Sequence, residues 1–260
     1  MIISAFDSDK GIKKSVNQDA LIIKKAMTNI GEIVFACICD GMGGLAHGEL
    51  ASSEVIKEIN EWFEKDLSNS SRDELDDQTL VTTLNKRILD VDYRIRRYGD
   101  ENGACGTTIS GILLFNGKYL TINVGDSRVY KIKDNQITQL THDHSYVQSL
   151  VDKGYISKDE ARKHPQQNVL LQCIGTGEDV VADYTFGEYQ INDMFLICSD
   201  GFRHRILDEE YLKIFNSDLI NNKKDLEERV KYCVKLNMKR KEKDNISAIA
   251  LKIINEEGRW

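Results

Sequence analysis

Aspartates stand at the ends of the most apolar segments of this chain. Three segments that resemble buried strands are followed within two residues by an aspartate, and a fourth begins just after one; the four are Asp40, Asp126, Asp200 and Asp244. A rigid strand terminus can hold a carboxylate at a fixed position beside a cleft. Turn formation is the competing interpretation, because Asp-Gly and Asp-Asn pairs are frequent where a chain leaves a strand. Turns explain any single position better, but four such positions favour a shared role.

Four carboxylates gathered beside one cleft need a cation between them, because like charges repel. Carboxylate oxygens and water are the ligands of a hard divalent ion such as Mg²⁺ or Mn²⁺. The sequence contains no Cys/His spacing typical of zinc. Two ions about 3.5–4 Å apart can deprotonate a bridging water and polarise a phosphoryl oxygen. The residues alone therefore predict a metal-assisted hydrolase and favour a phosphate ester as its substrate.

The elements that must position these aspartates follow from hydrophobic periodicity. Strands are predicted at 2–6, 20–24, 32–39, 109–115, 118–124, 129–133, 136–140, 194–198 and 246–254. Helices are predicted at 48–63, 80–95, twice within 145–164, from about 208, and at 225–238. Asn116-Gly117 and Asp134-Asn135 are typical of tight hairpins. Hairpin-linked strands with paired helices between them predict antiparallel sheets covered by helices, not a doubly wound parallel sheet.

Composition narrows the class of protein. The 260 residues carry a formal net charge of −7, which disfavours nucleic acid as a partner because phosphates require a basic face. No stretch reaches the roughly 18 apolar residues of a membrane span, and the amino terminus does not resemble a secretion signal. Six cysteines form no CxxC pair and are interpreted as reduced core thiols. We expect one domain over 1–260, a loop at 68–71, a cytoplasmic location and no membrane or nucleic-acid partner.

Six ordered sequence blocks resemble the metal-dependent protein phosphatases of the type 2C (PPM) family. They are Asn17-Gln18-Asp19, Asp40-Gly41-Met42-Gly43-Gly44, Cys105-Gly106-Thr107-Thr108, Gly125-Asp126-Ser127-Arg128, Ser199-Asp200-Gly201 and Asp244-Asn245-Ile246-Ser247. Segments 140–145 and 164–170 are similar to the flap of the bacterial branch. The resemblance implies an α+β fold, a four-layer α/β/β/α sandwich of two antiparallel sheets flanked by helices, with a flap at about 142–175.

The resemblance also implies a site with two Mn²⁺ or Mg²⁺ ions. Asp40 would bridge both ions, and the Gly41 carbonyl would bind one of them together with Asp200 and Asp244. A hydroxide bridging the ions would attack phosphorus in line, so that these aspartates carry catalysis. Lys14 would bind the substrate phosphate.

Three further positions are assigned around this pair of ions by the same resemblance. Asp126 matches a position that binds a third, weaker metal in bacterial members. Gln18 lies where the family often has glutamate, which contacts a metal through water, and Asp19 would support this outer coordination shell.

The sequence also departs from the family pattern. Lys14 stands where the family usually has an arginine, and a lysine meets phosphate as a point charge without the bidentate fork. Leu45 replaces a histidine common in bacterial members, and Met42 occupies the position of a candidate acid histidine in eukaryotic members. The general acid is therefore unassigned, and water on a metal could serve in its place. Among the five histidines, His204 is the preferred candidate for a catalytic role because of its neighbourhood. The basic run 202–205 is expected to border the substrate cleft.

We predict a serine/threonine protein phosphatase that acts on phosphoserine and phosphothreonine in proteins. Phosphorylated proteins and a cognate serine/threonine kinase are the expected partners, and a monomer is the expected state. The first alternative is a catalytically weak or inactive relative that binds phosphoproteins as a regulatory module. Lys14 and the missing histidine favour that alternative, whereas the four intact aspartates argue against it. Hydrolysis of small phosphorylated metabolites is a second alternative.

Overall fold

The computed structural model describes residues 1–28, 31–42, 47–67, 76–177 and 180–255. The described strands are β1 (Ile2–Asp9), β2 (Asp19–Thr28), β3 (Gly31–Asp40), β4 (Ile109–Phe115), β5 (Lys118–Val124), β6 (Arg128–Lys133), β7 (Gln136–Gln139), β8 (Asp183–Glu188), β9 (Met194–Cys198) and β10 (Ile246–Ile253). The described α-helices are α1 (Gly48–Glu61), α2 (Asp77–Asn102), α3 (Tyr146–Asp152), α4 (Lys158–Ala161), α5 (Asp200–Arg203), α6 (Asp208–Ile214) and α7 (Lys223–Lys239). The predicted loop at 68–71 and the motif residues Gly43, Gly44 and Leu45 lie outside these ranges.

The strands form two five-stranded sheets in which all neighbours are antiparallel. One sheet has the order β1-β10-β9-β6-β7, and the other has the order β2-β3-β4-β5-β8. Hairpins join β4 to β5 and β6 to β7, as predicted from Asn116-Gly117 and Asp134-Asn135, and all four of these turn residues have positive φ. The sequence pattern thus places the turns correctly, because these residue types adopt the left-handed conformation that tight hairpins need.

Each central strand contributes to two hydrophobic cores. In β3, Val34 and Ala36 belong to the core between the sheets, whereas Phe35 and Cys37 belong to the core beneath α1 and α2. The alternation follows from strand geometry, since successive side chains point to opposite faces. A third core lies between the other sheet and helices α6 and α7. The predicted four-layer α/β/β/α sandwich is therefore confirmed.

The helices cover the outer faces of both sheets. Trp62, in a short π-helical segment after α1, is fully buried and packs edge-on against Phe35 with ring centroids 5.5 Å apart. On the other side, Tyr211 of α6 is fully buried, stacks on Phe202 and donates its hydroxyl to the Phe202 carbonyl at 2.8 Å. All six cysteines are buried and none forms a disulfide. Among the described helices, none has both the length and the apolar character that crossing a bilayer requires.

The structure differs from the sequence prediction at several elements. The edge strand β8 was not predicted, and its residues are intermediate in burial or exposed along their whole length, so its sequence lacks the apolar run of a central strand. The four-residue helix α5 was also not predicted, because it spans little more than one turn and is too short to show a repeating hydrophobic pattern. Strand β2 continues to Thr28, four residues beyond its predicted end.

Candidate active site

The predicted site residues meet at one edge of the two sheets. Asp40 is the last residue of β3, and Asp19, the first residue of β2, lies directly opposite it in the antiparallel pair. In the second sheet, Asp200 begins α5 soon after β9, and Asp244 precedes β10 by two positions. Because β9 and β10 are antiparallel neighbours, the end of one and the start of the other share an edge. We call these four residues the Asp40 site.

The backbone around Asp40 is fixed from both sides. The Asp40 N–H donates to Thr108 Oγ1 at 3.0 Å, and the Asp40 carbonyl accepts from the Thr108 N–H at 2.9 Å and from the Thr107 hydroxyl at 3.0 Å. The next residue, Gly41, donates its N–H to the Gln18 carbonyl at 3.2 Å. A Cβ on Gly41 would come within 2.6 Å of that carbonyl oxygen, so only glycine permits this close approach.

The side chain of Asn245 connects the amino-terminal loop to β10. Its Oδ1 accepts the Gln18 N–H at 3.0 Å, and its Nδ2 donates to the carbonyls of Lys10 at 3.0 Å and Val16 at 3.1 Å. Gly201 lies so close that a Cβ there would overlap the Asn245 carbonyl oxygen. The Asn245 amide therefore holds the loop that carries Lys14 and Gln18 beside the Asp40 site.

Asp40 lies in strongly negative surroundings. Removal from solvent, followed by the charges of Asp19, Asp200, Asp126 and Asp244, raises the pKa of the Asp40 carboxyl well above its usual range. Both effects disfavour the ionised carboxyl. A cation placed among these groups would oppose them, since opposite charge favours the ionised form.

Asp19 is likewise a buried carboxyl in negative surroundings. Desolvation and the charges of Asp200 and Asp244 raise its pKa to about 7, although the nearby hydroxyls of Ser247 and Ser199 oppose the rise. Both carboxylate oxygens are buried, and neither accepts a hydrogen bond of ordinary geometry within the described residues. Buried polar atoms without partners are costly, so the site favours a ligand that is positively charged or donates hydrogen bonds.

The donor set of the Asp40 site fits hard divalent cations. Its side chains offer oxygen atoms, which Mg²⁺ and Mn²⁺ prefer, and its charges repel one another when no cation is bound. Within the described ranges, no three Asp, Glu, His or Cys side chains lie close enough to enclose an ion by themselves. Water and backbone oxygens such as the Gly41 carbonyl would therefore have to complete the coordination, as is usual for Mg²⁺.

Lys14 lies in contact with the Asp40 site. Its Nζ is 2.6 Å from Asp244 Oδ1. Burial alone would lower the pKa of Lys14, but the hydrogen bond to Asp244 and the charges of Asp244, Asp40 and Asp200 raise it above its usual value. The ammonium is therefore a firmly charged group next to the candidate ligands.

A cleft of about 430 Å³ opens beside Lys14. Its lining consists of Lys13, Lys14, Gln167, Asn168, His204, Arg205, Glu242, Lys243 and Asp244. Four of these nine residues are lysine or arginine, so an anionic group that enters the cleft meets positive charge next to the carboxylates. Residues His204 and Arg205 of the basic run border the cleft, as expected from the sequence.

A sequence model described as protein phosphatase 2C matches residues 11–234 of the chain. The chain belongs to the protein phosphatase 2C family. It is 31% identical over 228 residues to the serine/threonine phosphatase stp of Listeria welshimeri, which covers 86% of this chain and 85% of that protein. It is 32% identical over 206 residues to the serine/threonine protein phosphatase PstP of Mycobacterium tuberculosis, which covers 79% of this chain but 37% of that protein.

Solved structures of this family share the fold of the chain. The serine/threonine phosphatase Stp1 from Staphylococcus aureus aligns with a TM-score of 0.85 and 31% identity, covering 98% of this chain and 96% of that one. The catalytic domain of the phosphatase PstP in complex with two manganese ions aligns with a TM-score of 0.78 and 25% identity, covering 98% and 99%. The resemblance to the bacterial branch of the PPM family is thus confirmed.

Among the five histidines of this protein phosphatase 2C member, His204 lies at the Asp40 site. Its Nε2 is 3.7 Å from Asp200 Oδ2, and its Nδ1 is 3.8 Å from Glu242 Oε2. Burial alone would raise the pKa of Glu242, but the nearby imidazole of His204 and hydrogen bonds from the N–H groups of Asp244 and Lys243 hold it down to about 2. His204 therefore stands between two acidic side chains at the edge of the cleft.

The other four histidines have contacts that explain them structurally. The ring of His47, just before α1, packs against Tyr98. His142 and His144 pair with Asp152 and Asp183, at 3.0 and 2.9 Å, and His164 Nδ1 accepts the Gln166 N–H at 3.1 Å.

The flap predicted at about 142–175 is anchored close to the Asp40 site. It contains α3 and α4, and its two arms are bridged where Ser145 pairs with Leu170. At its end, Ile174 forms an isolated antiparallel bridge with Thr107, which exchanges two backbone hydrogen bonds. Because the Thr107 hydroxyl also donates to the Asp40 carbonyl, one residue connects the flap to Asp40.

Asp126 has an ionic partner that the sequence did not reveal. It is 5% exposed, and its Oδ2 lies 3.1 Å from Nη2 of Arg203 at the end of α5. Burial and the charge of Asp200 raise the pKa of Asp126 to about 6, against the lowering effect of Arg203. The basic run 202–205 indicated positive charge near the cleft, but it did not indicate which carboxylate Arg203 contacts.

Proposed function

We propose that this member of the protein phosphatase 2C family removes phosphate from phosphoserine and phosphothreonine in proteins at the Asp40 site. The prediction of a serine/threonine protein phosphatase is supported at nearly full length by the family match and by relatives of that name. The observation that carries the choice of site is the cluster of carboxylates around Asp40, where burial and mutual repulsion raise the pKa of Asp40 well above its usual range. The matches lend no support to the inactive alternative.

Mn²⁺ or Mg²⁺ is the proposed cofactor, with two ions held around Asp40. Asp40, the Gly41 carbonyl, Asp200 and Asp244 would hold these ions, and Asp19 and Gln18 would support the outer coordination shell. The complex of the PstP catalytic domain with two manganese ions supports this number. When bound, such ions supply Lewis-acid charge that activates water and neutralises phosphoryl oxygens.

Gln18 and Asp19 are placed for such a supporting role. The Gln18 side-chain amide donates to Glu49 Oε2 at 3.0 Å, which fixes the group while its own carbonyl oxygen remains an acceptor. Asp19 brings two buried carboxylate oxygens that have no hydrogen-bond partner within the described ranges. Both residues flank Asp40 through β2 and the turn that precedes it.

Lys14 is proposed to orient the substrate phosphate. An ammonium carries three N–H donors, so Lys14 can keep its contact with Asp244 and donate to a phosphate oxygen at the same time. It lines the basic cleft, which would draw the phosphorylated side chain toward the carboxylates. We further propose His204 as the group that donates a proton to the leaving alkoxide, since it borders the same cleft beside Asp200.

Hydrolysis of a phosphothreonine peptide tests the proposal, with the native protein in Mn²⁺, in Mn²⁺ plus chelator, and with the Asp40→Asn variant in Mn²⁺. We expect hydrolysis by the native protein in Mn²⁺ and its loss in the other two samples. Circular dichroism of the variant verifies that it folds. No hydrolysis by folded, metal-replete native protein would contradict the proposal and favour the binding-module alternative.

The substrate class is tested by comparing that peptide with sugar phosphates under the same conditions. We expect a higher kcat/KM for the peptide, since the proposed substrates are phosphorylated proteins. Preference for the sugar phosphate would favour hydrolysis of small metabolites. A cognate serine/threonine kinase, a monomeric state and one domain over 1–260 remain part of the proposal.

A further inference from the structure

A buried group of four charged residues lies beside the Asp40 site. We call it the arginine–aspartate cluster; its members are Asp126, Arg128, Asp143 and Arg203. Arg128 donates from Nε and Nη2 to both carboxylate oxygens of Asp143, at 2.7–3.1 Å. Arg203 Nη2 lies 3.1 Å from Asp126 Oδ2 and 3.6 Å from Asp143 Oδ2. The aspartates are only 5% and 4% exposed.

The charges within the cluster balance one another without a metal ion. Two guanidinium groups face two carboxylates, so its formal charges sum to zero. Further neutral contacts surround it: Arg128 Nη1 donates to the Tyr130 hydroxyl at 2.8 Å, and Gln139 Nε2 donates to Asp143 Oδ1 at 2.9 Å. Such pairing and hydrogen bonding are what a buried ion pair requires, and only Arg203 Nε among the polar atoms of these four side chains is buried without a partner in the described part of the chain. This distinguishes the cluster from the Asp40 site, where carboxylates outnumber cations.

Arg203 holds Asp126 by two of its acceptors. Its Nη2 lies 3.0 Å from the Asp126 backbone carbonyl oxygen as well as 3.1 Å from Oδ2. A divalent ion bound by Asp126 would stand within a few ångströms of this guanidinium. Because the surroundings are poorly hydrated, the repulsion between the two cations would be weakly screened. The residues present therefore do not fit a third metal at Asp126, which is the role that the family resemblance implies.

We infer that the guanidinium of Arg203 takes the place of the third metal ion, so that this chain holds divalent ions only around Asp40. The inference rests on the proposed two-ion function of the Asp40 site. Arginine stays charged at any physiological pH, and it cannot dissociate as a weakly bound ion does. Asp126 thus has a permanent cationic partner that the chain itself supplies.

The same guanidinium reaches the base of the flap. Asp143, which Arg203 approaches at 3.6 Å, belongs to the first residues of the flap and is held by Arg128 as well. In addition, Arg162 at the end of the flap helix α4 donates to the Ile206 carbonyl, three residues beyond Arg203, at 3.0 Å. Arginine side chains therefore connect the flap to α5 and to the segment after it. The position of the flap should thus not depend on the concentration of a weakly bound metal.

Counting bound Mn²⁺ tests the inference. The intact protein is titrated with Mn²⁺, and free Mn²⁺ is measured by electron paramagnetic resonance. We expect two ions per native chain at saturation, three for Arg203→Met, and two again for the double variant Arg203→Met/Asp126→Asn. Arg203→Lys keeps a cation at this position and should remain at two. Arg97→Met, which removes an exposed arginine from α2, is the matched control and should also remain at two.

The possible results separate this inference from the proposed function. Three ions on the native chain, reduced to two by Asp126→Asn, would overturn the inference and leave the two-ion function intact. A folded Arg203→Met that gains no ion overturns it too. If Arg203→Met does not fold, Asp126→Asn in the native background decides: an unchanged count of two supports the inference. Fewer than two ions on the native chain contradicts the proposed function itself.

Discussion

The Asp40 site and the arginine–aspartate cluster both contain carboxylates that lie near strand ends at one edge of the sandwich. They differ in what surrounds these carboxylates. Around Asp40, burial and neighbouring acidic groups raise the pKa of the carboxyl, and both buried oxygens of Asp19 lack hydrogen-bond partners among the residues that the structure describes. Around Asp143, two arginines counter the effect of burial and hold its pKa below the usual range. The cations that the chain itself provides thus decide whether a carboxylate near a strand end is repelled by its neighbours or paired.

The largest effect that distinguishes the two regions is expected from Asp40→Asn. Removing this carboxylate should lower kcat/KM for a phosphothreonine peptide by about 1,000-fold, comparable to the loss of a major electrostatic stabiliser. The metal-free variant should nevertheless melt at a higher temperature than the metal-free native protein, because one of several repelling charges is gone. Lower activity together with lower metal-free stability would mean that Asp40 is not a repelled carboxylate, and the comparison would fail.

Asp143→Asn tests the other region. It leaves Arg128 and Arg203 with one carboxylate instead of two, and removing one partner of a buried ion pair costs about 3–5 kcal/mol. We expect a decrease of about 3 kcal/mol in the free energy of unfolding, measured in urea, that Mn²⁺ does not restore. Lys57→Met, which breaks an exposed ion pair with Glu54, is the control and should cost less than about 1 kcal/mol. Equal effects of the two substitutions would contradict a structural role for the cluster.

Lys14→Met tests how a cation supplied by the chain affects the Asp40 site, because Lys14 contacts Asp244 directly. The loss of a charged hydrogen-bond donor, about 1.5–3 kcal/mol, should reduce kcat/KM roughly 10–100-fold. Since Asp244 loses its ammonium partner, calorimetry should show tighter Mn²⁺ binding by the variant. Lys13→Met changes a neighbouring lysine of the same cleft and should alter both quantities less than about threefold. Weaker Mn²⁺ binding after Lys14→Met would show that Lys14 does not compete for Asp244.

The smallest expected effect is a pH dependence of opposite sign for Asp19 and Asp143. The pKa of Asp19 rises to about 7 on folding, from about 4 in the unfolded chain. The folded state then binds more protons between these values, so stability falls as pH rises from about 4 to 7. The lowered pKa of Asp143 acts in the opposite sense, since its contribution is lost as pH falls below about 4.

Thermal melting of the metal-free protein between pH 5 and 7.5 measures the first of these effects. We expect a lower melting temperature at pH 7.5, by roughly 2–4 °C for each kcal/mol lost. Saturating Mn²⁺ should reduce the difference, because a bound cation favours the ionised carboxylates. A melting temperature that rises with pH in metal-free protein would refute the account of Asp19.

Most of the fold was predictable because its information is local. Period-two and helical patterns found the strands that are buried on both faces and the long helices, and Asn116-Gly117 fixed a hairpin. The edge strand β8 escaped because its burial is partial and shows no apolar run.

The positions of Asp40, Asp200 and Asp244 were predictable for a similar reason, since each follows or precedes its own strand, whereas Asp19 was indicated only by the family resemblance. The contact between Asp126 and Arg203 was not, because it joins side chains 77 residues apart and no local pattern specifies it. The sequence showed an unusually basic run after Asp200 but not its partner. The metal-binding roles themselves remain predictions that the experiments above address.

The Asn245 amide has a consequence for the order of events during synthesis. It accepts a hydrogen bond from the Gln18 N–H, 227 positions earlier in the chain. In addition, β1 pairs with β10 along its whole length. A chain emerging from the ribosome therefore carries β1 and the Lys14 loop for most of its translation without the strand that fixes them. Domains fold as units once their parts are available. Phosphatase activity should thus be absent from nascent chains and appear only after residues 244–253 have been made, so that no partial product can dephosphorylate its surroundings.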